Sequence, residues 1–179
     1  MVFEDQDVIV IDKPAGVLTV PNKDGDASLA QAVFESFGCE SGKVDKMVAQ
    51  RLGFDTSGLI VFARSNAAIS SLNLQLRTQT MTRKYEALVC GTVSKDKGEI
   101  TYELTRDADA LPYMRVYTEE AQKKLIGMAK DLPKDLSDKL CQNEKKSCTE
   151  FEVVSREELS GHPVTRLSLK SVSGRYVIC

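Results

Sequence analysis

Histidine is nearly absent from this 179-residue chain: the one present, His162, stands in Gly161-His162-Pro163, which reads as an exposed turn. A lone histidine excludes a histidine cluster for a metal and argues against a histidine-based triad. Cysteine offers no better pattern. Cys39, Cys90, Cys141, Cys148 and Cys179 are odd in number, widely scattered and without a Cys-x-x-Cys pair, which speaks against zinc and against a disulfide framework. A reducing interior is the default for such usage. No apolar run approaches the roughly 18 residues that span a bilayer, so no membrane partner is expected. The N-terminus lacks a basic segment followed by an apolar stretch, so no secretory signal is visible. An excess of positive charge is also missing. The formal net charge of −2 excludes a histone-like electrostatic binder while leaving room for a local basic groove.

What is present suits one globular domain, with 42% apolar and 28% charged residues. Val8-Ile9-Val10-Ile11 reads as a buried strand after the acidic turn Glu4-Asp5-Gln6-Asp7, and Lys13-Pro14-Ala15-Gly16 breaks it. Val17 to Val20 resumes extended structure. Ser28 is an N-cap for a helix over Leu29 to Phe37 that Gly38 closes. Leu59 to Ala63 is a second buried strand, and Ser65-Asn66-Ala67 opens a second helix ending near Thr78. Tyr85 to Gly91 and Glu99 to Leu104 alternate as strands. The charged stretch from Thr118 to Glu144 reads as two short helices broken near Pro133, a surface insertion over about 118–144. Thr149 to Val154 and Val164 to Leu169 are alternating strands joined by a turn over Glu157 to Pro163. Helices are few after Val89, so the pattern predicts an α+β fold with a mixed, mostly antiparallel sheet and flanking helices.

The densest chemistry lies in Gln50-Arg51-Leu52-Gly53-Phe54-Asp55-Thr56-Ser57-Gly58, directly ahead of the Leu59 strand. A cation, a carboxylate and two hydroxyls at the mouth of a buried strand are one way to build a site; an ordinary turn is the other reading of the same residues.

Four separated segments coincide with one family pattern. Phe3-Glu4-Asp5 with Val10-Ile11-Asp12-Lys13-Pro14-Ala15-Gly16 resembles the opening motif of the RluA-type pseudouridine synthases. Arg51-Leu52-x-x-x-Thr56-Ser57-Gly58-Leu59 resembles their central motif, usually His-Arg-Leu-Asp-x-x-Thr-Ser-Gly-Leu. Lys84-Tyr85-Glu86-Ala87-Leu88-Val89-x-Gly91 is similar to the third, and Lys146 to Phe151 with Ser173-Gly174-Arg175 to the later ones. The resemblance runs over nearly the whole chain, the stretch at 118–144 excepted.

It implies the pseudouridine synthase catalytic-domain fold over residues 1–179 and a cofactor-free isomerase converting uridine in RNA to pseudouridine. The RNA partner would be ribosomal or transfer RNA, with the target base flipped from its stack; no obligate protein partner is visible. In such a family the central aspartate acts at the sugar or base, a tyrosine packs on the uracil and a late arginine pairs with the aspartate. By position these roles fall to Gly53, where the aspartate is replaced, to Tyr85 and to Arg175, with Asp55 as a substitute carboxylate two residues on. Lys13, Arg51, Thr56, Ser57, Arg83 and Lys84 are the expected RNA-binding residues. The chain ends where the family continues with Thr-His-Gln-Ile-Arg and further strands, so a C-terminally incomplete domain is expected. The alternatives are a catalytically dead RNA-binding protein or a truncated copy. The compartment expected by default is the cytoplasm, an organelle staying open because an address could precede the chain.

Overall fold

The computed structural model describes residues 1–22, 24–110, 113–141 and 145–173. They form two compact units, Met1–Met81 and one beginning at Thr82.

The first unit is a three-stranded sheet with a helix on each face. Strands β1 (Phe3–Glu4), β2 (Val8–Lys13) and β3 (Gly58–Ala63) lie in that order, both pairs antiparallel. On one face, Ile9, Ile60 and Phe62 are fully buried with Met47 and with Ala30 and Val33 of helix α1 (Leu29–Phe37). Such side chains stabilise by roughly 1.5–3 kcal/mol each when fully buried. Helix α1 begins where Ser28 Oγ accepts the Gln31 N–H (3.2 Å), and Gly38 closes it, as the sequence predicts. Helix α2 (Asn66–Arg77) sets Ala68 and Leu72 against Ala63 on the other face. It is capped by Ser65, whose hydroxyl accepts the Ala68 N–H (3.1 Å).

The second unit is a five-stranded antiparallel sheet in the order β4 (Lys84–Cys90), β8 (His162–Ser171), β7 (Lys145–Leu159), β5 (Lys97–Arg106), β6 (Met114–Val116). Strands β7 and β8 are far longer than the alternation suggests, because pairing runs to Leu159 opposite His162. The predicted turn over 157–163 contracts to Ser160 and Gly161, both at positive φ (52° and 79°), the pair of conformations a two-residue hairpin needs. His162 is therefore an exposed strand-end residue rather than a turn residue.

The charged stretch is helical, as expected: α3 (Glu119–Ala129) and α4 (Lys134–Leu140). It is not merely solvated. Leu125 is fully buried, and the buried Thr105 of β5 donates its hydroxyl to Gln122 Oε1 (3.0 Å). Every described strand pair is antiparallel, which settles the α+β class; the parallel contact is an isolated bridge between Leu18 and Ser28. Among the described residues no helix is long and apolar enough to cross a membrane, and no three His, Cys, Asp or Glu side chains are grouped to hold a metal.

Candidate active-site loop

Residues 50–58 form an exposed loop whose backbone is fixed from below. Thr19, itself buried, donates its hydroxyl to the Leu52 carbonyl (2.8 Å) and accepts the Leu52 N–H (3.2 Å). Two residues on, the Phe54 carbonyl accepts from the Gly16 N–H (2.9 Å) and from the Lys13 ammonium (3.2 Å). Gly53 lies between these anchors, and its carbonyl accepts the Thr56 N–H (3.2 Å) to close a tight turn. Gln50 Nε2 donates to the Leu59 carbonyl (3.1 Å), tying the loop's start to its exit. Gly58 enters β3 at φ 130°, a conformation that L side chains rarely adopt, so the glycine of the Thr56-Ser57-Gly58 frame is required by backbone geometry.

Gly53 is different. Its φ is outside the left-handed region, and a Cβ placed there would meet only Thr56 Oγ1, at 3.3 Å. Its backbone does not demand a glycine, and a side chain there asks only that the Thr56 hydroxyl yield by a few tenths of an ångström. The glycine removes a side chain without supplying a conformation the fold needs.

The loop displays Arg51, Phe54, Asp55, Thr56 and Ser57 to solvent. Neither the Arg51 guanidinium nor the Asp55 carboxylate forms a hydrogen bond or ion pair with a side chain among the described residues. Asp55 follows the doubly held Phe54 carbonyl, so the flexibility that would let it travel toward position 53 is restrained at the adjoining peptide.

Lys13 is not placed as a phosphate-gripping lysine must be. It is 0% exposed, and its ammonium donates to the carbonyls of Pro14 (2.9 Å), Val17 (2.8 Å) and Phe54 (3.2 Å). Its basic character reads as an RNA contact in the sequence; in the fold it is a pin between the Lys-Pro-Ala-Gly turn and the loop. Thr19 escapes notice in the sequence because a threonine in an extended run looks like any β-former.

In the second unit, Tyr85 and Lys84 are neighbours on β4 and so point to opposite faces. Half-buried Tyr85 lies opposite Leu169, in a row continued by Phe151 and Gly98. Lys84 lies in the other row, Lys84-Lys170-Glu150-Glu99, where Lys170 and Glu150 pair at 3.0 Å. A concavity of about 510 Å³ there has Lys84, Lys97 and Lys170 balanced by Glu99, Glu150 and Glu152. Equal charges of each sign do not make a phosphate groove, and Lys84 cannot share a face with Tyr85. Nearby, the Cys148 thiol is pushed up by burial and by the Glu99 carboxylate that accepts from it. Arg83 is half-buried and turned inward: it donates to Ser171 Oγ (3.1 Å) and reaches the Ser173 carbonyl (3.5 Å), while Ser173 Oγ accepts the Cys148 N–H (2.9 Å). These bonds hold the residues that lead to Gly174 and Arg175, which lie outside the described residues.

The sequence over residues 7–176 matches the family model described as RNA pseudouridylate synthase. The chain belongs to the RNA pseudouridylate synthase family, in its RluA type. It is 30% identical over 179 residues to the dual-specificity RNA pseudouridine synthase RluA of Haemophilus influenzae, covering 98% of this chain and 66% of that protein. To an uncharacterized RNA pseudouridine synthase of Bacillus subtilis, YhcT, it is 36% identical over 108 residues, 60% of this chain and 36% of the other. The fold is that of human RNA pseudouridylate synthase domain containing 1, with a TM-score of 0.70, 21% identity, and coverage of 97% of this chain and 59% of that one. This chain thus spans about a third to two thirds of the length of these relatives.

Proposed function

We propose that this chain acts on RNA, presenting the loop 50–58 to a uridine, and that with a carboxylate at position 53 it isomerises uridine to pseudouridine. The observation that carries the reading is the anchoring of that loop. Leu52 and Phe54 are held on either side of position 53, in a backbone that accepts an aspartate, within a chain of the pseudouridylate synthase family. Catalytic groups must be held to about 0.5 Å, and four backbone hydrogen bonds are a means to that end.

The reaction breaks the C1′–N1 bond, turns the uracil and joins C1′ to C5; C5 releases its proton to solvent and N1 takes one up, so product and substrate are isomers. Nothing is oxidised or reduced, so the reading invokes no cofactor. Arg51 would take a phosphate, Thr56 and Ser57 would bond the RNA backbone, and Tyr85 would pack on the flipped base. Arg175 would pair with the carboxylate. Ribosomal or transfer RNA is the substrate class.

Gly53 itself favours a second reading, RNA binding without isomerisation, since glycine can neither attack a carbon nor move a proton. The two separate in one experiment with a transcribed RNA carrying 5-tritiated uridine, in which each isomerisation releases tritium. Release by the wild type that disappears in Asp55→Asn assigns the carboxylate to Asp55. Binding without release supports the second reading. Absence of salt-dependent RNA binding refutes both.

A further inference from the structure

One side chain of the loop has no part in the chemistry above. Phe54 stands at the tip of the turn from Gly53 to Thr56, and the residue is 52% exposed. A phenylalanine in that position forgoes the transfer free energy that a core site would give it. Its backbone, however, is among the most firmly held in the loop, because its carbonyl accepts from both Gly16 and Lys13. The ring therefore projects from a stiff stem, and seating it on a ligand freezes only two side-chain torsions. Three residues away is Arg51, exposed and without a hydrogen bond or ion pair for its guanidinium among the described residues. An exposed aromatic ring and an uncommitted cation carried by one short loop are the combination that holds single-stranded nucleic acid, the base stacking on the ring and the phosphate meeting the charge.

We infer that Phe54 is a stacking platform for an unpaired base flanking the target uridine. The inference rests on the RNA reading above and adds a base contact to it. Stacking needs a π-face but no hydrogen-bond pattern, so the contact tolerates any base and contributes affinity rather than sequence choice.

The test uses Phe54→Trp, Phe54→Ala and Arg51→Gln in the full chain, with a transcribed RNA hairpin whose loop is rich in uridine. The sequence contains no tryptophan, so the indole introduced by Phe54→Trp would be its sole fluorescent reporter of that kind. Its emission should be quenched on RNA binding, with affinity at or above that of the wild type. Phe54→Ala should bind about 5- to 150-fold more weakly with an unchanged slope of log affinity against log salt, because stacking releases no counterions. Arg51→Gln should lower that slope by about 1. Undisturbed indole emission in Phe54→Trp with RNA bound overturns the inference and leaves the functional reading standing, as does unchanged affinity in Phe54→Ala. A wild type that binds no RNA overturns both.

Discussion

Placing an aspartate at position 53 tests whether a single side chain separates this loop from a working isomerase site. The backbone there needs no glycine, and the new Cβ would stand 3.3 Å from Thr56 Oγ1 with nothing else within 4 Å beyond its chain neighbours. Thr56 is exposed, so its hydroxyl can give way by the few tenths of an ångström required. Replacing glycine at a compatible φ also removes freedom from the unfolded chain, a gain of about 0.4–1 kcal/mol. The two effects oppose each other. Gly53→Asp should fold with a stability within about 1 kcal/mol of the wild type, a shift of at most about 4 °C in Tm. Its effect on rate should be far larger. A positioned acid or base contributes about 10²–10⁴-fold, so tritium release from 5-tritiated uridine RNA should rise by at least about 100-fold, or roughly 2.7 kcal/mol of barrier. Gly53→Asn is the control: nearly the same shape and stability, no carboxylate, no release. If Gly53→Asp folds and binds RNA like the wild type yet releases tritium no faster than Gly53→Asn, then position 53 is not the missing element.

Lys13→Met keeps most of the buried volume and deletes three hydrogen bonds from a charged donor; it should cost about 2–4 kcal/mol in urea unfolding. A loss under about 0.5 kcal/mol would show that the ammonium does not pin the loop. On the second unit's sheet, a Cβ added at Gly98 would come within 2.8 Å of the Phe151 ring directly across the strand pair. Gly98→Ala should therefore destabilise by about 1–3 kcal/mol, and Phe151→Leu in the same chain should recover part of that loss. Strict additivity of the two changes would refute the contact. At the start of β2, the Asp5 carboxylate accepts from the Val8 and Asp7 N–H groups, which hold it below the usual aspartate range. Because the folded value is the depressed one, its stabilising effect is complete above the unfolded value of about 3.9 and disappears as pH falls through the folded value. The stability difference between wild type and Asp5→Ala should shrink in that acid window, and a difference independent of pH would contradict the cause given.

Local signals made much of this fold legible from the residues alone. Ser28 and Ser65 announce their helices because capping is decided within three residues, and Gly38 ends α1 for the same reason. The apolar runs that start at Val8 and Leu59 are rich enough in β-branched residues to declare strands. What escaped depends on partners distant in sequence. Phe3–Glu4 is a strand only because β2 offers Val10 and Ile9 to it, and Met114–Val116 only because β5 is beside it. The length of β7 and β8 is set by their pairing and by the Ser160-Gly161 turn, not by hydrophobic alternation, which fades before Leu159. Motif order placed the chain in its family and singled out the loop 50–58 as the candidate site. It could not separate Lys13, a lysine among carbonyls, from a lysine in a groove, since burial is a property of the fold. Nor did adjacency in sequence reveal that Lys84 and Tyr85 turn their backs on each other.

The register of the five-stranded sheet has a consequence for how the chain is made. Strand β4 pairs with β8, Lys84 opposite Lys170, and lies at the sheet's edge, whereas β7 and β8 are joined by a two-residue turn. The hairpin can close as soon as it is synthesised. β4, translated much earlier, has no sheet partner until the ribosome has added the whole of β5 to β8, roughly 4–17 s at about 5–20 residues per second. During that interval a seven-residue strand with an alternating apolar face is bare. Its outward-facing Lys84 and Glu86 are the charges that discourage a second nascent chain from pairing with it first.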